Sequence, residues 1–139
     1  MTGKQHERRH QMALINTWNF VKTVILWDVI AQATFNQYRV VSARPYVDKK
    51  GKLPEGLTLT LMVLKDKHDY GVDKNGMPRE NNVYQNFDAT VLNRKHQIKK
   101  GDVIRLLDFD EENSYAIGFD LLLRFRDCEI VQPQGGKNA

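Results

Sequence analysis

The sequence predicts an all-β fold with minor α content, a five-stranded OB-fold barrel that follows an N-terminal extension. Turn clusters recur at regular intervals from Gln37 onward, and the segments between them alternate apolar and polar residues as strands do. Only the basic connection NRKHQIK, between the third and fourth strands, leaves room for a short helix. This is the element order of a partly open Greek-key barrel. An SH3-like barrel or a small sandwich would give a similar pattern.

Three segments divide the chain, whose 139 residues suit one domain with its own core. Residues 1–35 form the predicted arm and apolar extension, residues 36–132 the OB-fold domain, and residues 133–139 a disordered tail. The arm, MTGKQHERRHQ, is basic and lacks periodicity, so we expect it to be mobile until a partner binds it.

The apolar part of the extension reads LINTWNFVKTVILWDVIAQATF. Its Val, Ile and Thr content is typical of a strand, but a run of this length without Gly or Pro favours a helix. The barrel is complete without this segment, so we expect its apolar side chains to join subunits. A monomer seldom exposes such a surface, so the segment packs either on its own barrel or on a neighbour's.

The first predicted strand, QYRVVSARPYV, is followed by the turn cluster DKKGK. Alternation along this strand turns Val41, Ala43 and Val47 inward, and Arg44 and Tyr46 outward.

The second and third strands, LTLTLMV and VYQNFDATVL, show the clearest alternation. The predicted inward residues are Leu57, Leu59, Leu61, Val63, Val83, Phe87, Ala89 and Val91. The predicted outward residues are Thr58, Thr60, Met62, Tyr84, Asn86, Asp88 and Thr90. The outer surface of the first three strands is therefore polar and carries tyrosine rings.

The fourth strand, VIRLLDF, leads through the acidic loop DEENSY to one long last strand, IGFDLLLRFRDCEIV. The last strand is expected to direct Phe119, Leu121, Leu123 and Phe125 inward and Arg124 and Arg126 outward. Cys128 and Ile130 also have inward character, so the phase slips near Asp127, where a bulge is expected.

No catalytic or metal-binding pattern is present in the sequence. The four histidines lack a ligand spacing, Cys128 has no partner for a disulfide or cluster, and the glycines are isolated in turns. We therefore expect no enzyme activity, cofactor, metal or small-molecule substrate. The run Trp18–Phe35 is interrupted by polar residues and is too short to span a bilayer, so we expect a cytoplasmic protein without membrane contact.

The basic residues favour a polyanion as the partner. The formal charge is +4, and residues 1–70 carry 11 Lys and Arg against 6 Asp and Glu. Lys and Arg neutralise phosphates, and tyrosine rings stack on bases. The candidate nucleic-acid-binding residues are Arg44, Tyr46, Lys49, Lys50, Lys65, Lys67, Tyr70, Tyr84, Arg124 and Arg126. Each of them taken alone is also explained as a solvated loop or rim residue.

The acidic loop at residues 108–112 would repel a phosphate backbone, and it offers a contact for the basic arm or is a solvated turn. The candidate oligomerisation residues are Arg8 and Arg9 in the arm, and Trp18 and Trp27 in the apolar extension.

With this strand order and basic face, the chain resembles the small plasmid-encoded single-stranded-DNA-binding proteins of Gram-positive conjugation systems. The resemblance covers about residues 37–131 and includes VVSARPYVDKKGKLPEGLTLTLMVLKD and VIRLLDFDEENSYAIGFDLLLRF. It implies sequence-tolerant binding of single-stranded DNA, assembly of subunits along the strand, and an N-terminal extension that contacts a neighbour. The chain lacks the acidic C-terminal tip of the housekeeping single-strand binders, which puts recruitment of replication partners in doubt.

The expected function is thus to coat single-stranded DNA as an oligomer during conjugative plasmid transfer or replication. Two alternatives remain: a protein-interaction module of a conjugation or phage system, and a single-stranded RNA binder. Stacking and phosphate contacts serve DNA and RNA equally.

Overall fold

The computed structural model describes residues 13–93 and 95–134 of the chain. Arg8 and Arg9, with the rest of the basic arm, lie outside the described residues, as does the predicted tail from residue 135 onward.

The described chain contains one α-helix and six strands, with two short 3-10 helices at Thr17–Phe20 and Glu111–Asn113. The helix, α1, spans Trp27–Thr34. The strands are β1 (Tyr38–Tyr46), β2 (Gly56–Val63), β3 (Asn86–Val91), β4 (Val103–Phe109), β5 (Tyr115–Ile117) and β6 (Asp120–Gln132).

Five of the strands form a closed circuit of pairings, from β1 through β2, β3, β6 and β4 back to β1. The circuit closes through the parallel pairing of β3 with β6, at Ala89↔Leu123 and Val91↔Phe125. The remaining pairings are antiparallel. This confirms the all-β fold class and the predicted OB strand order, with β6 in the place of the predicted fifth strand.

The core follows the predicted alternation in β2 and β3. Leu59, Leu61 and Val63 are buried, as are Ala89 and Val91, because each strand directs every second side chain into the barrel.

The predicted phase of β1 is wrong in the first half of the strand, and the outward positions of Arg44 and Tyr46 after the bulge are as predicted. Tyr38 and Val40 are the buried residues, whereas Ala43 is exposed and Val47 is 61% exposed. The pairing register with β2 shifts between Val40 and Ser42, so Val41 occupies a bulge. A bulge interrupts the alternation, which a simple count along the sequence continues.

The segment predicted as one long last strand forms a hairpin in the structure. β5 and β6 pair antiparallel on either side of Gly118 and Phe119, and Gly118 adopts a φ of +61°. Phe119 therefore lies in the turn and is fully exposed, and Leu121 is 44% exposed, although both were expected inside.

The burial phase of β6 slips near Asp127 as predicted, since the buried residues Phe125 and Cys128 are three positions apart. The bulge expected there is not found, because the register with β4 runs unbroken through Asp127 and shifts instead between Ile130 and Gln132. Ile130, expected inside, is 40% exposed.

The N-terminal segment is not one long helix. After the 3-10 helix at Thr17–Phe20 the chain continues without regular structure, and α1 begins only at Trp27. Most of this stretch is exposed, including Trp18 at 74%. The prediction that Trp18 serves oligomerisation stays a prediction.

Trp27 requires a correction, because it is 6% exposed and belongs to the core of its own barrel. Its ring packs edge-on against Phe125 at 4.8 Å between centroids. Thr34, at the other end of α1, shares a 2.6 Å hydrogen bond with the hydroxyl of Tyr38. The helix covers apolar surface at one end of the barrel, so Trp27 is unavailable to a neighbouring subunit.

Within the described ranges, the structure contains no helix with the length and hydrophobicity needed to cross a bilayer.

Candidate nucleic-acid interface

The candidate residues fall into groups at the two ends of β2. The arginine cluster consists of Arg44, Tyr46 and Arg124, beside the first residues of β2. The lysine cluster consists of Lys65, Lys67 and the ring of Phe35, just beyond the last residue of β2. The sequence pattern did not show that the candidates form two groups. Only the structure shows that the length of β2 lies between them.

The arginine cluster is built on one register row across four strands. Arg44 in β1 pairs with Thr58 in β2, Thr58 pairs with Thr90 in β3, and Thr90 pairs with Arg124 in β6. Cross-strand partners direct their side chains to the same face of a sheet. Two arginines therefore flank two threonines on the outer face of the barrel.

Tyr46 and Arg124 contact each other directly. The guanidinium carbon of Arg124 lies 5.9 Å from the centre of the Tyr46 ring, and Nη2 is 3.5 Å from the tyrosine hydroxyl. Nη1 donates a 2.6 Å hydrogen bond to the Asn113 carbonyl oxygen, and Nε is buried without a hydrogen-bond partner among the described residues. The guanidinium is thus held in place while part of its donor capacity is unused.

Gly56, the β2 partner of Tyr46, permits a close approach of two strands. A Cβ atom at this position would collide with the carbonyl oxygen of Val91. Glycine is therefore required there for β3 to lie against β2.

Asp88 places a negative charge within this face. Its carboxylate lies 3.5 Å from Nη2 of Arg44 and accepts a 2.7 Å hydrogen bond from the hydroxyl of Thr60. The aspartate side chain is 60% exposed. Asp88 therefore partly neutralises Arg44 and opposes the approach of a phosphate.

Lys49 and Lys50 lie in the exposed loop that follows β1. The carboxylate of Asp48 shapes this loop by accepting hydrogen bonds from the backbone N–H groups of Lys50, Lys52 and Leu53. The loop lies at the same end of the barrel as Tyr46, the last residue of β1.

Arg126 has a structural partner. Its Nη2 lies 3.1 Å from Oδ1 of Asp110, whose side chain is 3% exposed, and Asn113 donates to the other carboxylate oxygen at 2.8 Å. Asp110 is therefore satisfied inside its own subunit and is not a surface contact for the arm. Asp108, Glu111 and Glu112 are exposed.

At the opposite end of β2, the ammonium groups of Lys65 and Lys67 lie 5.5 Å and 5.0 Å from the centre of the Phe35 ring. Tyr84 comes close to this end through its backbone, whose N–H donates to the Val63 carbonyl oxygen at 2.7 Å. Tyr84 precedes β3 rather than belonging to it, and its side chain is 71% exposed.

Tyr70 has a role inside the loop between β2 and β3. Its hydroxyl donates to Asp66 at 2.7 Å and accepts from the Asn82 side-chain amide at 2.9 Å. Partial burial and then the Asp66 carboxylate raise the pKa of Tyr70. These bonds hold the loop together, so the hydroxyl is already engaged.

Sequence reasoning missed Phe35 as a candidate site residue, because the ring was assigned to the apolar extension. The following residue, Asn36, could have indicated that a helix ends here, since Asn is common where a helix ends in a left-handed conformation. The exposed rings of Tyr115 and Phe119 in the β5–β6 hairpin were missed because the hairpin itself was not predicted.

A cleft of about 550 Å³ lies between α1 and the β5–β6 hairpin. Its apolar lining includes Trp27, Val29, Phe87, Phe119 and Leu121. Among the described residues, no group of three or more His, Cys, Asp or Glu side chains is arranged to hold a metal ion.

Comparison with known proteins returned no match among protein-family models, curated proteins or solved structures.

Proposed function

We propose that the protein binds single-stranded DNA along the outer face of β2, with little dependence on sequence. The observation that carries this proposal is the placement of an aromatic ring with arginine or lysine cations at each end of one strand of an OB-type barrel. Rings stack on any base, and cations contact the phosphates between bases.

The dimensions of β2 fit this role. The strand has 8 residues, which corresponds to about 26 Å at the usual rise per residue. OB folds bind about 4–16 nucleotides per domain. A strand of several nucleotides therefore extends from the arginine cluster to the lysine cluster, with Thr58 and Thr60 as the polar floor between them.

Self-association along the DNA is part of the proposal. The exposed apolar residues before α1 include Leu14, Ile15, Trp18, Phe20, Val21 and Val24. Exposed apolar surface of this kind usually marks an interaction site. A second copy of the chain offers the apolar cleft beside α1 as the complementary surface, and a head-to-tail contact of this type repeats without closing.

A role in conjugative plasmid transfer or replication, in the cytoplasm, goes with this activity and rests on the sequence resemblance. The alternative role, a module that docks another protein, is favoured by the same cleft and by the fully exposed ring of Phe119. Such a module would bind its partner with no need for the arginine and lysine clusters.

The test is to measure binding to single-stranded DNA, duplex DNA and single-stranded RNA of one sequence at a fixed low salt concentration. The proposal predicts preference for the single strand over the duplex. If about four or five phosphates are neutralised, the logarithm of the affinity should fall as the logarithm of the salt concentration rises, with a slope of about 3. Equal or stronger RNA binding would select the RNA alternative, and no nucleic-acid binding would favour the protein-docking module.

A further inference from the structure

Phe35 is an exposed aromatic residue in a backbone conformation that seldom holds one. It follows the last residue of α1 with a φ of +59°, and its side chain is 46% exposed. Helices usually end in this left-handed conformation with Gly or Asn, since a bulky side chain is disfavoured there. A ring retained at such a position calls for an explanation beyond the end of the helix.

The surrounding structure fixes the backbone of Phe35. The N–H of Asn36 donates to the Ala31 carbonyl oxygen at 2.9 Å. The Asn36 side chain donates to the carbonyl of Leu106 at 2.8 Å and accepts from its N–H at 3.2 Å. The backbone at Phe35 is thus anchored by a link between α1 and β4.

Lys65 and Lys67 lie beside this ring, and few other contacts hold their side chains there. The N–H of Lys67 donates to the Ala33 carbonyl at 2.9 Å, which fastens the chain after β2 to the last turn of α1. Both lysine side chains are exposed, and neither takes part in the ion pairs found between described residues.

The carbonyl end of α1 explains why cations gather here, because it carries partial negative charge. It does not explain the exposed ring. A ring with two exposed ammonium groups beside it matches a base flanked by phosphates, and an exposed cation–π contact is weak enough to be exchanged for a phosphate contact.

We propose that Phe35, Lys65 and Lys67 form a second contact site for the single-stranded DNA, where one base stacks on Phe35 and the two lysines bind adjacent phosphates. This site deepens the proposed function and depends on it. It lies beyond the end of β2, so an oligonucleotide reaches it only when it extends past the arginine cluster.

The test compares Phe35→Ala, Phe35→Leu and Phe35→Trp on two oligonucleotides, one of about 4 and one of about 16 nucleotides. Phe35→Ala and Phe35→Leu should weaken binding of the longer strand about 5- to 150-fold. This range converts 1–3 kcal/mol for one base stack at 1.4 kcal/mol per factor of ten. The shorter strand should bind unchanged, and Phe35→Trp should retain the affinity for both.

A second pair of variants separates charge from the ring. Lys65→Gln should lower the salt dependence on the longer strand, whereas Lys74→Gln, which removes an exposed lysine in the loop before β3, should leave it unchanged.

Unchanged binding of the longer strand by Phe35→Ala, together with weakened binding by an Arg124 variant, would overturn base stacking on Phe35 and leave single-strand binding at the arginine cluster intact. Equal losses on both strands with a lowered melting temperature would also overturn it, because they indicate a structural role. If the native protein binds neither strand, the second site and the proposed function fail together.

Discussion

Arg124 in β6 and Tyr46 in β1 come together across the outer face of the barrel, with the guanidinium carbon 5.9 Å from the centre of the tyrosine ring. These residues are 78 positions apart in sequence. The closure of the barrel through β3 and β6 brings them together, and the hydrogen bond from Arg124 to the Asn113 carbonyl keeps the guanidinium in position.

The first prediction concerns the charge of this pair. Arg124→Gln should weaken binding of single-stranded DNA and reduce the salt slope by about 0.7, the value for one lost phosphate contact. The matched control is Arg105→Gln on β4, where the arginine pairs with Glu129 at 2.6 Å. Salt titrations that give the two variants the same slope would place the site away from Arg124.

The second prediction concerns Asp88. Asp88→Asn should strengthen DNA binding a few-fold, because it removes a negative charge from the face and leaves Arg44 without its acidic partner. Stability should change little, since exposed ion pairs contribute about 0–1 kcal/mol. Asp28→Asn, the same change at an exposed position of α1, is the control. Unchanged or weaker binding by the Asp88 variant would contradict a phosphate path past Asp88.

The third prediction separates the two tryptophans. Trp27→Ala should cost about 3–5 kcal/mol of unfolding free energy, because it empties a buried site packed on Phe125. Trp18→Ala should leave unfolding within about 0.5 kcal/mol and reduce self-association measured by light scattering. Denaturant unfolding of both variants tests this. A stable Trp27 variant would contradict the position of α1 on the barrel.

The fourth prediction is a loss of stability at alkaline pH. Burial, followed by the charge of Asp127, raises the pKa of Cys128 from 9.0 to about 11, and burial raises that of Tyr38 from 10.0 to about 12. The folded protein therefore keeps protons that the unfolded chain releases. Stability from these groups is complete below about pH 9 and should fall as pH rises, by up to about 1.4 kcal/mol per pH unit per group.

Denaturant unfolding between about pH 8 and 11 measures this slope. Tyr38→Phe should flatten its upper part, from about pH 10, and Cys128→Ala its lower part, from about pH 9. A stability that does not change over this range would show that neither group is buried in solution.

The sequence predicts the barrel well where each strand obeys strict alternation, as in β2 with Leu59, Leu61 and Val63. It fails at Val41 and at Phe119, because a bulge and a tight turn each break the alternation without a strong local signal. It also misplaces Trp27, since nothing in a linear pattern shows that one end of the barrel needs a cover.

The candidate site, like the fold, was predicted from the sequence only in part. Outward residues such as Arg44 and Thr58 follow from strand phase alone. The contacts of Arg126 with Asp110, and of Lys65 with Phe35, depend on distant parts of the chain that only the fold brings together. Sequence spacing therefore indicated the charges but not their partners.

The central claim, that single-stranded DNA follows β2 from one end to the other, is tested most directly by a double variant, Tyr46→Ala with Tyr84→Ala. The two rings lie towards opposite ends of β2, and each base stack contributes about 1–3 kcal/mol. Fluorescence anisotropy with an oligonucleotide of about 16 nucleotides should show a loss of at least tenfold in a double variant that melts like the native protein. An unchanged affinity of the folded double variant would contradict the claim.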